Sequence, residues 1–99
     1  MVPEEVLNSK GAVSEEVVTL MANEVLQRFD TDYAIAVSGV AGPDGGSAEK
    51  PVGTIWIAVA SKNKSVARRF QMGEHRGRNI TKSMIAALNM MRQLITEDI

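Results

Sequence analysis

A glycine-rich stretch, residues 39–53, offers the clearest potential for chemistry in this 99-residue sequence, because five of its eight glycines lie there. Glycine allows positive φ angles and a close approach of a ligand to the main chain. Successive backbone N–H groups in such a stretch can form a concavity that binds anions, and Lys50 adds a cation. The stretch therefore predicts either a loop that binds a phosphate or carboxylate, or a long connection between two strands, and the glycine pattern alone is a weak signal.

A second candidate anion site lies at His75 and Arg76, just before a predicted helix. A guanidinium beside the free N–H groups of a first helical turn suits a phosphate or carboxylate. The alternative is a surface ion pair between Arg76 and Glu74, which contributes little. His75 is the only histidine and there is no cysteine, so the converging ligands of a metal site are not supplied. We interpret His75 as a solvated surface residue.

Polar side chains also stand where the glycine-rich stretch meets its flanking apolar runs. Ser38 closes the first run and Thr54 opens the second, and either hydroxyl could face a ligand or support a turn. Asp44 could bind a hydroxyl or shape a turn. The pattern of a nucleophile elbow is absent from the sequence.

The composition is that of a single globular domain over residues 1–99, with 44% apolar residues and a net charge of −1. The near-neutral charge argues against nucleic acid as the main partner. No apolar run approaches the roughly 20 residues of a membrane span, and the N-terminus lacks the regions of a signal peptide. The lack of cysteine fits a reducing compartment, so we expect a cytoplasmic protein without a membrane partner.

The first long helix is predicted to begin at Ser14, which is a suitable N-cap before Glu15 and Glu16. Before it, Pro3 could open a short helical turn that Gly11 would end. Residues at helical spacing predict one apolar face of the long helix, consisting of Val18, Met21, Ala22, Val25 and Phe29.

Three strands are predicted after this helix. Residues 33–38 and 54–60 are apolar at nearly every position, which is typical of strands covered on both faces. Residues 65–71 alternate in character, and the short turn at residues 61–64 makes the second and third strands an antiparallel hairpin.

The chain ends in a long predicted helix whose apolar face holds Ile80, Met84, Ala87, Leu88, Met91, Leu94 and Ile95. Methionines 72, 84, 90 and 91 are interpreted as core filler. The fold class is therefore a layered α/β sandwich of two main helices on about three strands. Since two helices hardly cover both faces of a full sheet, we expect upstream strands or a partner chain to be missing. Open strand edges favour a homo-oligomer.

The sequence resembles the C-terminal domain of the CinA proteins, also found alone as nicotinamide-nucleotide amidohydrolase. Residues 38–46, S-G-V-A-G-P-D-G-G, and 49–54, E-K-P-V-G-T, resemble the family's [ST]-G-[IV]-A-G-P-x-G-G…K-P-V-G-T signature. Residues 11–17 are similar to its H-G-A-V-S-E-E-V stretch, with Lys10 where histidine is usual. Residues 73–76 resemble its G-D-R turn, with one extra residue.

Two segments of the family's domain are not found in this sequence. They are A-E-S-[CL]-T-G-G and G-G-V-V-x-Y-S-N-x-x-K, which precede the matching part. The resemblance therefore implies a partial domain of the CinA C-terminal type, truncated at its N-terminus. In the family, the serine of the first segment is thought to be the nucleophile and the lysine of the second to assist it, so no catalytic residue is expected within residues 1–99.

The resemblance implies hydrolysis of the amide of nicotinamide mononucleotide to nicotinic acid mononucleotide and ammonia, without a cofactor or metal. This chain would supply the glycine-rich part that binds the nucleotide. The alternative is a catalytically inactive module that binds nucleotide or only oligomerises. The expected substrate-binding residues are Ser38, Gly39, Gly42, Gly45, Gly46, Lys50, Thr54 and Arg76.

Overall fold

The computed structural model describes residues 13–40, 53–73 and 75–98. Along the chain it has α1 (Glu15–Phe29), β1 (Tyr33–Gly39), β2 (Thr54–Ser61), β3 (Ser65–Gln71) and α2 (Arg76–Asp98). The predicted layered α/β fold, with three strands and two main helices, is confirmed. The short turn predicted near Pro3 lies outside the described residues, as do residues 41–52 of the glycine-rich stretch.

The strands form one antiparallel sheet in the order β1-β2-β3. Ala36 of β1 pairs with Ala58 of β2, and Ala58 pairs in turn with Ala67 of β3. The predicted hairpin between β2 and β3 is confirmed, and Ser61 N donates to Lys64 O at 2.7 Å in its turn. Among the strands that the structure describes, β2 is therefore central and β1 and β3 flank it.

Helix α1 begins as predicted, since the Ser14 hydroxyl accepts a hydrogen bond from Val17 N at 3.3 Å. It ends at Asp30, which adopts a left-handed conformation with φ of 48° and donates its N–H to Leu26 O. The predicted apolar face is partly wrong, because Val25 and Phe29 are 37% and 68% exposed.

The true buried stripe of α1 consists of Val17, Val18, Ala22 and Leu26. Its residues Val18, Ala22 and Leu26 pack against small side chains on one face of the sheet, namely Ala34, Ala36, Ala58 and Ala60. Because alanine side chains are small, the helix can approach the sheet closely. On the helix, the contact is made by residues spaced four apart. We call this side of the sheet the α1 face.

Helix α2 covers the opposite side, which we call the α2 face. Ile57 and Val59 of β2 pack there against Ala87, Met90 and Leu94 of the helix. Strand β2 is buried on both faces, as predicted. A chain that buries its central strand between two helices in this way has two small cores, one on each side of the sheet.

Strand β1 is not covered on both faces, contrary to prediction. Ile35 and Val37 point to the α2 face and are 38% and 42% exposed. On the helix, Met84 and Leu88 are more than half exposed. The prediction that every methionine fills the core is therefore wrong for Met84. The physical reason is that α2 packs on β2 and leaves the neighbouring side of β1 open.

Neither described helix combines the length and the apolar character that crossing a membrane would require.

Candidate functional site

Three strand ends and a helix start meet at one end of the sheet, and backbone hydrogen bonds hold them together. Val40 N donates to Thr54 O at 2.9 Å, and Gly53 N donates to Val40 O at 2.5 Å. Met72 N donates to Gly53 O at 2.9 Å. We call this region the site end, consisting of residues 38–40, 53–54, 71–73 and 75–79. It is where the glycine-rich stretch leaves β1 and rejoins the sheet at β2.

Close contact between backbones distinguishes the site end. Gly53 and Gly73 both have positive φ, 91° and 92°. A Cβ added at Gly53 would lie 2.1 Å from Gly73 O, whereas one added at Gly73 would have no heavy atom within 4 Å. A Cβ at Gly39 would lie 2.8 Å from Thr54 O. Glycine is therefore required at position 53 for both conformation and space.

The two predicted hydroxyl residues have different environments. Thr54 is fully buried, and its hydroxyl donates to Gln71 Oε1 at 3.1 Å. That bond joins the ends of β2 and β3, which gives the hydroxyl a structural partner. Ser38 is half-buried near the end of β1, opposite Trp56 in the register. Ser38 is therefore the more accessible of the two.

The start of α2 is fixed by His75, which acts as its N-cap. His75 Nδ1 accepts from Arg78 N at 3.1 Å, and His75 O accepts from Asn79 N at 2.9 Å. The ring is exposed, as predicted, but its capping bond was not predicted. This bond satisfies one of the N–H groups that a helix start leaves unpaired.

Asn79 ties this helix start to the strand ends. Its side chain is fully buried, and Nδ2 donates to Gly73 O at 2.9 Å. Lys82 Nζ adds a bond to Met72 O at 3.2 Å. Sequence reasoning missed Asn79, whose one signal was an amide in line with the buried residues of the helix, next to Ser83 one turn further on. The start of α2 is thereby held against the Gly53–Gly73 contact.

The charge at the start of α2 is opposite to that of α1. Helix α1 has Glu15 and Glu16 in its first turn, whereas α2 has no acidic residue there and carries Arg76 and Arg78. Cations at a helix N-terminus oppose the helix dipole, at a cost of about 0.3–1 kcal/mol each. Both arginines are exposed. An approaching anion would be attracted by the guanidinium groups and by the helix dipole together.

The structure brings four predicted site residues, Ser38, Gly39, Thr54 and Arg76, to the site end. The remaining predicted residues, Gly42, Gly45, Gly46 and Lys50, lie outside the described residues. Their binding role stays a prediction. Both ends of the segment that carries them are fixed in the site end, because Gly53 N is bonded to Val40 O.

A groove of about 440 Å³ runs between β1 and α2 on the α2 face. Ile35 and Val37 form one wall, and Ile80, Met84 and Leu88 form the other. We call it the apolar groove. None of the described residues that line it is ionisable, and these residues offer a phosphate group no charged partner.

Within residues 13–40, 53–73 and 75–98, no three histidine, aspartate or glutamate side chains are placed to hold a metal ion together. The sheet, the glycine-rich stretch and the start of α2 together define a class of protein: an α/β domain with a glycine-rich connection and a basic helix start at one end of an antiparallel sheet.

Comparison with known proteins identifies the family. The chain matches the CinA C-terminal domain over residues 1–95, and it belongs to that family. A CinA-like protein of Cytophaga hutchinsonii is 49% identical over 96 residues, covering 97% of this chain and 23% of that protein. The nicotinamide-nucleotide amidohydrolase PncC of Pseudomonas putida is 44% identical over 96 residues, covering 97% of this chain and 60% of PncC.

Solved structures agree with this assignment. The competence damage-inducible protein A of Klebsiella pneumoniae superposes with a TM-score of 0.89 at 33% identity, covering 96% of this chain and 59% of that one. The competence/damage inducible protein CihA of Agrobacterium tumefaciens gives a TM-score of 0.86 at 38% identity, covering 94% and 58%. The chain therefore spans less than two thirds of the length of these relatives.

Proposed function

We propose that this chain supplies the nucleotide-binding part of an amidohydrolase that converts nicotinamide mononucleotide to nicotinic acid mononucleotide and ammonia. The observation that carries the proposal is the meeting of both ends of the glycine-rich stretch with the basic start of α2. The similarity to a relative named nicotinamide-nucleotide amidohydrolase supports the choice of substrate.

Arg76 is the residue we assign to the 5′-phosphate. It is exposed at the first position of α2, where the helix dipole also favours an anion. The cap at His75 and the bond from Asn79 to Gly73 hold this helix start in place. A guanidinium on a fixed backbone loses less entropy on binding than one on a mobile segment.

Backbone N–H groups near Ser38 could serve either as oxyanion donors or as a cradle for the nucleotide. Val40 N is already bonded to Thr54 O at 2.9 Å. An N–H that completes a sheet ladder is not available to a developing oxyanion. Any oxyanion donors would therefore have to come from the part of the glycine-rich stretch after Val40. To that part we assign the other role, that of a cradle for the nucleotide.

The nucleophilic serine and assisting lysine implied by the family resemblance are absent from this sequence. We therefore propose that the 99 residues bind the nucleotide without turning it over.

An assembly module is the second candidate function. The observation that favours it is the apolar groove, since Met84 and Leu88 are 61% and 64% exposed. Exposed apolar patches of this kind mark interaction sites in soluble proteins.

Isothermal titration of nicotinamide mononucleotide into the chain tests the proposal. Arg76→Ala should weaken binding by about tenfold or more, because a charge-assisted hydrogen bond contributes roughly 1.5–3 kcal/mol. Arg92→Ala is the matched control, since Arg92 is an exposed arginine of the same helix far from the site end. Absence of binding, or equal loss in both variants, would contradict the proposal and leave the assembly module as the better account.

A further inference from the structure

We propose that Asn79 is a positioning residue that couples the two halves of the nucleotide site, Arg76 and the glycine-rich stretch, so that binding at one half strengthens binding at the other. This role rests on the proposed function, and it adds to the site a buried residue that does not itself touch the ligand. A series of short contacts carries it, running from the start of α2 to the point where the glycine-rich stretch rejoins β2.

Asn79 fixes the backbone on the N-terminal side of α2. Its N–H donates to His75 O at 2.9 Å, and its side-chain Nδ2 donates to Gly73 O at 2.9 Å. The residue is fully buried, and a hydrogen bond to a buried polar group is costly to break. Arg76 precedes Asn79 at a spacing of i, i+3, which makes the two residues neighbours on the helix surface. The position of the Arg76 backbone therefore depends on Asn79.

The same Gly73 carbonyl lies against the glycine-rich stretch. A Cβ added at Gly53 would lie 2.1 Å from Gly73 O and 2.7 Å from Gly73 N. Next to this contact, Met72 N donates to Gly53 O at 2.9 Å, and Gly53 N donates to Val40 O at 2.5 Å. Closely packed groups have little freedom to move separately. A displacement of Gly73 is therefore transmitted to Gly53, where the glycine-rich stretch ends.

Ser83 shows what a buried polar residue of α2 does without this role. It lies one turn beyond Asn79, and its hydroxyl donates to Asn79 O at 2.7 Å, within the helix itself. It also makes a longer contact to Met72 Sδ at 3.5 Å. The strong bond of Ser83 thus serves the helix alone, whereas the side-chain bond of Asn79 joins the helix to the strand ends.

The bond from Asn79 to Gly73 has a consequence for binding. An arginine whose backbone is already fixed loses less entropy when it binds a phosphate. Coupling between two sites is reciprocal, so an anion that fixes Arg76 also stabilises the strand end at Gly53. Loss of the Asn79 amide should therefore weaken binding and make the two halves of the site independent.

A double-mutant cycle with nicotinamide mononucleotide tests this coupling by isothermal titration. Asn79→Leu removes the amide but keeps a branched side chain, and it should weaken binding about tenfold. Arg76→Ala should then cost less than about threefold in the Asn79→Leu background, because residues that act as a unit are not additive. In the background of the matched control, Ser83→Ala, it should still cost about tenfold.

A purely structural role of Asn79 gives a different result in that cycle. It would lower the folded fraction equally with and without Arg76, so the full effect of Arg76→Ala would persist in the Asn79→Leu background. That result would overturn the proposal.

Titration of inorganic phosphate into the ¹⁵N-labelled wild type needs no variant to fold. The backbone signals of Arg76, Met72 and Gly53 should shift with one common dissociation constant, and in Asn79→Leu the shift at Gly53 should disappear. A shift at Arg76 that leaves Gly53 and Met72 unchanged would overturn the coupling but keep the proposed phosphate site. No shift at Arg76, together with no binding of nicotinamide mononucleotide, would overturn the proposed function and the coupling with it.

Discussion

The site end and the apolar groove adjoin each other, yet they are built in opposite ways. At the site end, backbones touch: a Cβ on Gly53 would lie 2.1 Å from Gly73 O. In the groove, side chains are left apart, and Leu88 stays 64% exposed although it lies on the same helix as the fully packed Leu94. The contact between Gly53 and Gly73 leaves no room for a Cβ at position 53, whereas the groove is open over about 440 Å³.

This difference shows how the two regions are built. The site end is held by backbone hydrogen bonds and by the bond from Asn79 to Gly73. The groove exposes apolar side chains, and apolar surface left in water costs roughly 25 cal/mol for each Å² not buried. The site end therefore has the fixed backbone that the proposed nucleotide site requires, whereas the groove is where covering apolar surface would stabilise the protein most.

The largest expected effect is at Gly53. Gly53→Ala should lower the free energy of unfolding by about 4 kcal/mol, since a strained φ and an overpacked contact cost about 1–3 kcal/mol each. Gly73→Ala is the control, with the same positive φ but open space around its Cβ, and it should cost roughly 1–2 kcal/mol. Urea denaturation measures both, and equal losses would show that the backbone contact is not tight.

Removing side chains from α2 should separate the core from the exposed wall of the groove. Leu94→Ala should lower the free energy of unfolding by about 3 kcal/mol, because Leu94 is only 2% exposed. Leu88→Ala should cost less than about 1 kcal/mol, because Leu88 is 64% exposed. Urea denaturation of the two variants checks this, and an equal cost at the two positions would show that Leu88 is packed as tightly as Leu94.

The cap of α2 should give a smaller effect that is confined to the site end. His75→Ala should lower the free energy of unfolding by about 1 kcal/mol, because the bond from Arg78 N to His75 Nδ1 is lost. His75→Asn keeps a capping acceptor and should stay within a few tenths of a kcal/mol of the wild type. Thermal denaturation distinguishes them, and an equal loss in the two variants would rule out the capping role.

The smallest expected effect is on turnover, which should not be detectable. Incubation with nicotinamide mononucleotide, followed by chromatography of nicotinic acid mononucleotide, should give no product above the Ser38→Ala and Arg76→Ala variants. Product above those controls would mean that the catalytic groups lie within these 99 residues, contrary to the proposal.

The sequence predicted the two main helices, the three strands and the N-cap of α1, because these depend on neighbours in the chain. Ser14 was identified as an N-cap from its position before two glutamates, and the hairpin from its turn at residues 61–64. Exposure was harder to predict. The pattern of β1 indicates an apolar strand, but whether Ile35 and Val37 are covered depends on where α2 packs, and periodicity does not contain that information.

The candidate site residues also divide into those that depend on neighbours in the chain and those that depend on contacts between elements. Arg76 was predicted to lie at a helix start, which is a local pattern, and it is the first residue of α2; its binding role stays a prediction. Gln71 was missed because its partner Thr54 is 17 residues away. Asn79 was missed because its bond to Gly73 depends on how the helix meets the strands. Contacts between elements need the three-dimensional arrangement, so these two amides could be found only from the structure.

Residue-resolved titration of the ¹⁵N-labelled chain with nicotinamide mononucleotide tests the central claim most directly. We expect saturable shifts in the backbone N–H signals of the site end, at Gly39, Gly53, Gly73 and Arg76, with no change in the opposite hairpin turn at residues 61–64. Shifts confined to that turn, or no shift at millimolar nucleotide, would contradict the assignment of the site end as a nucleotide-binding site.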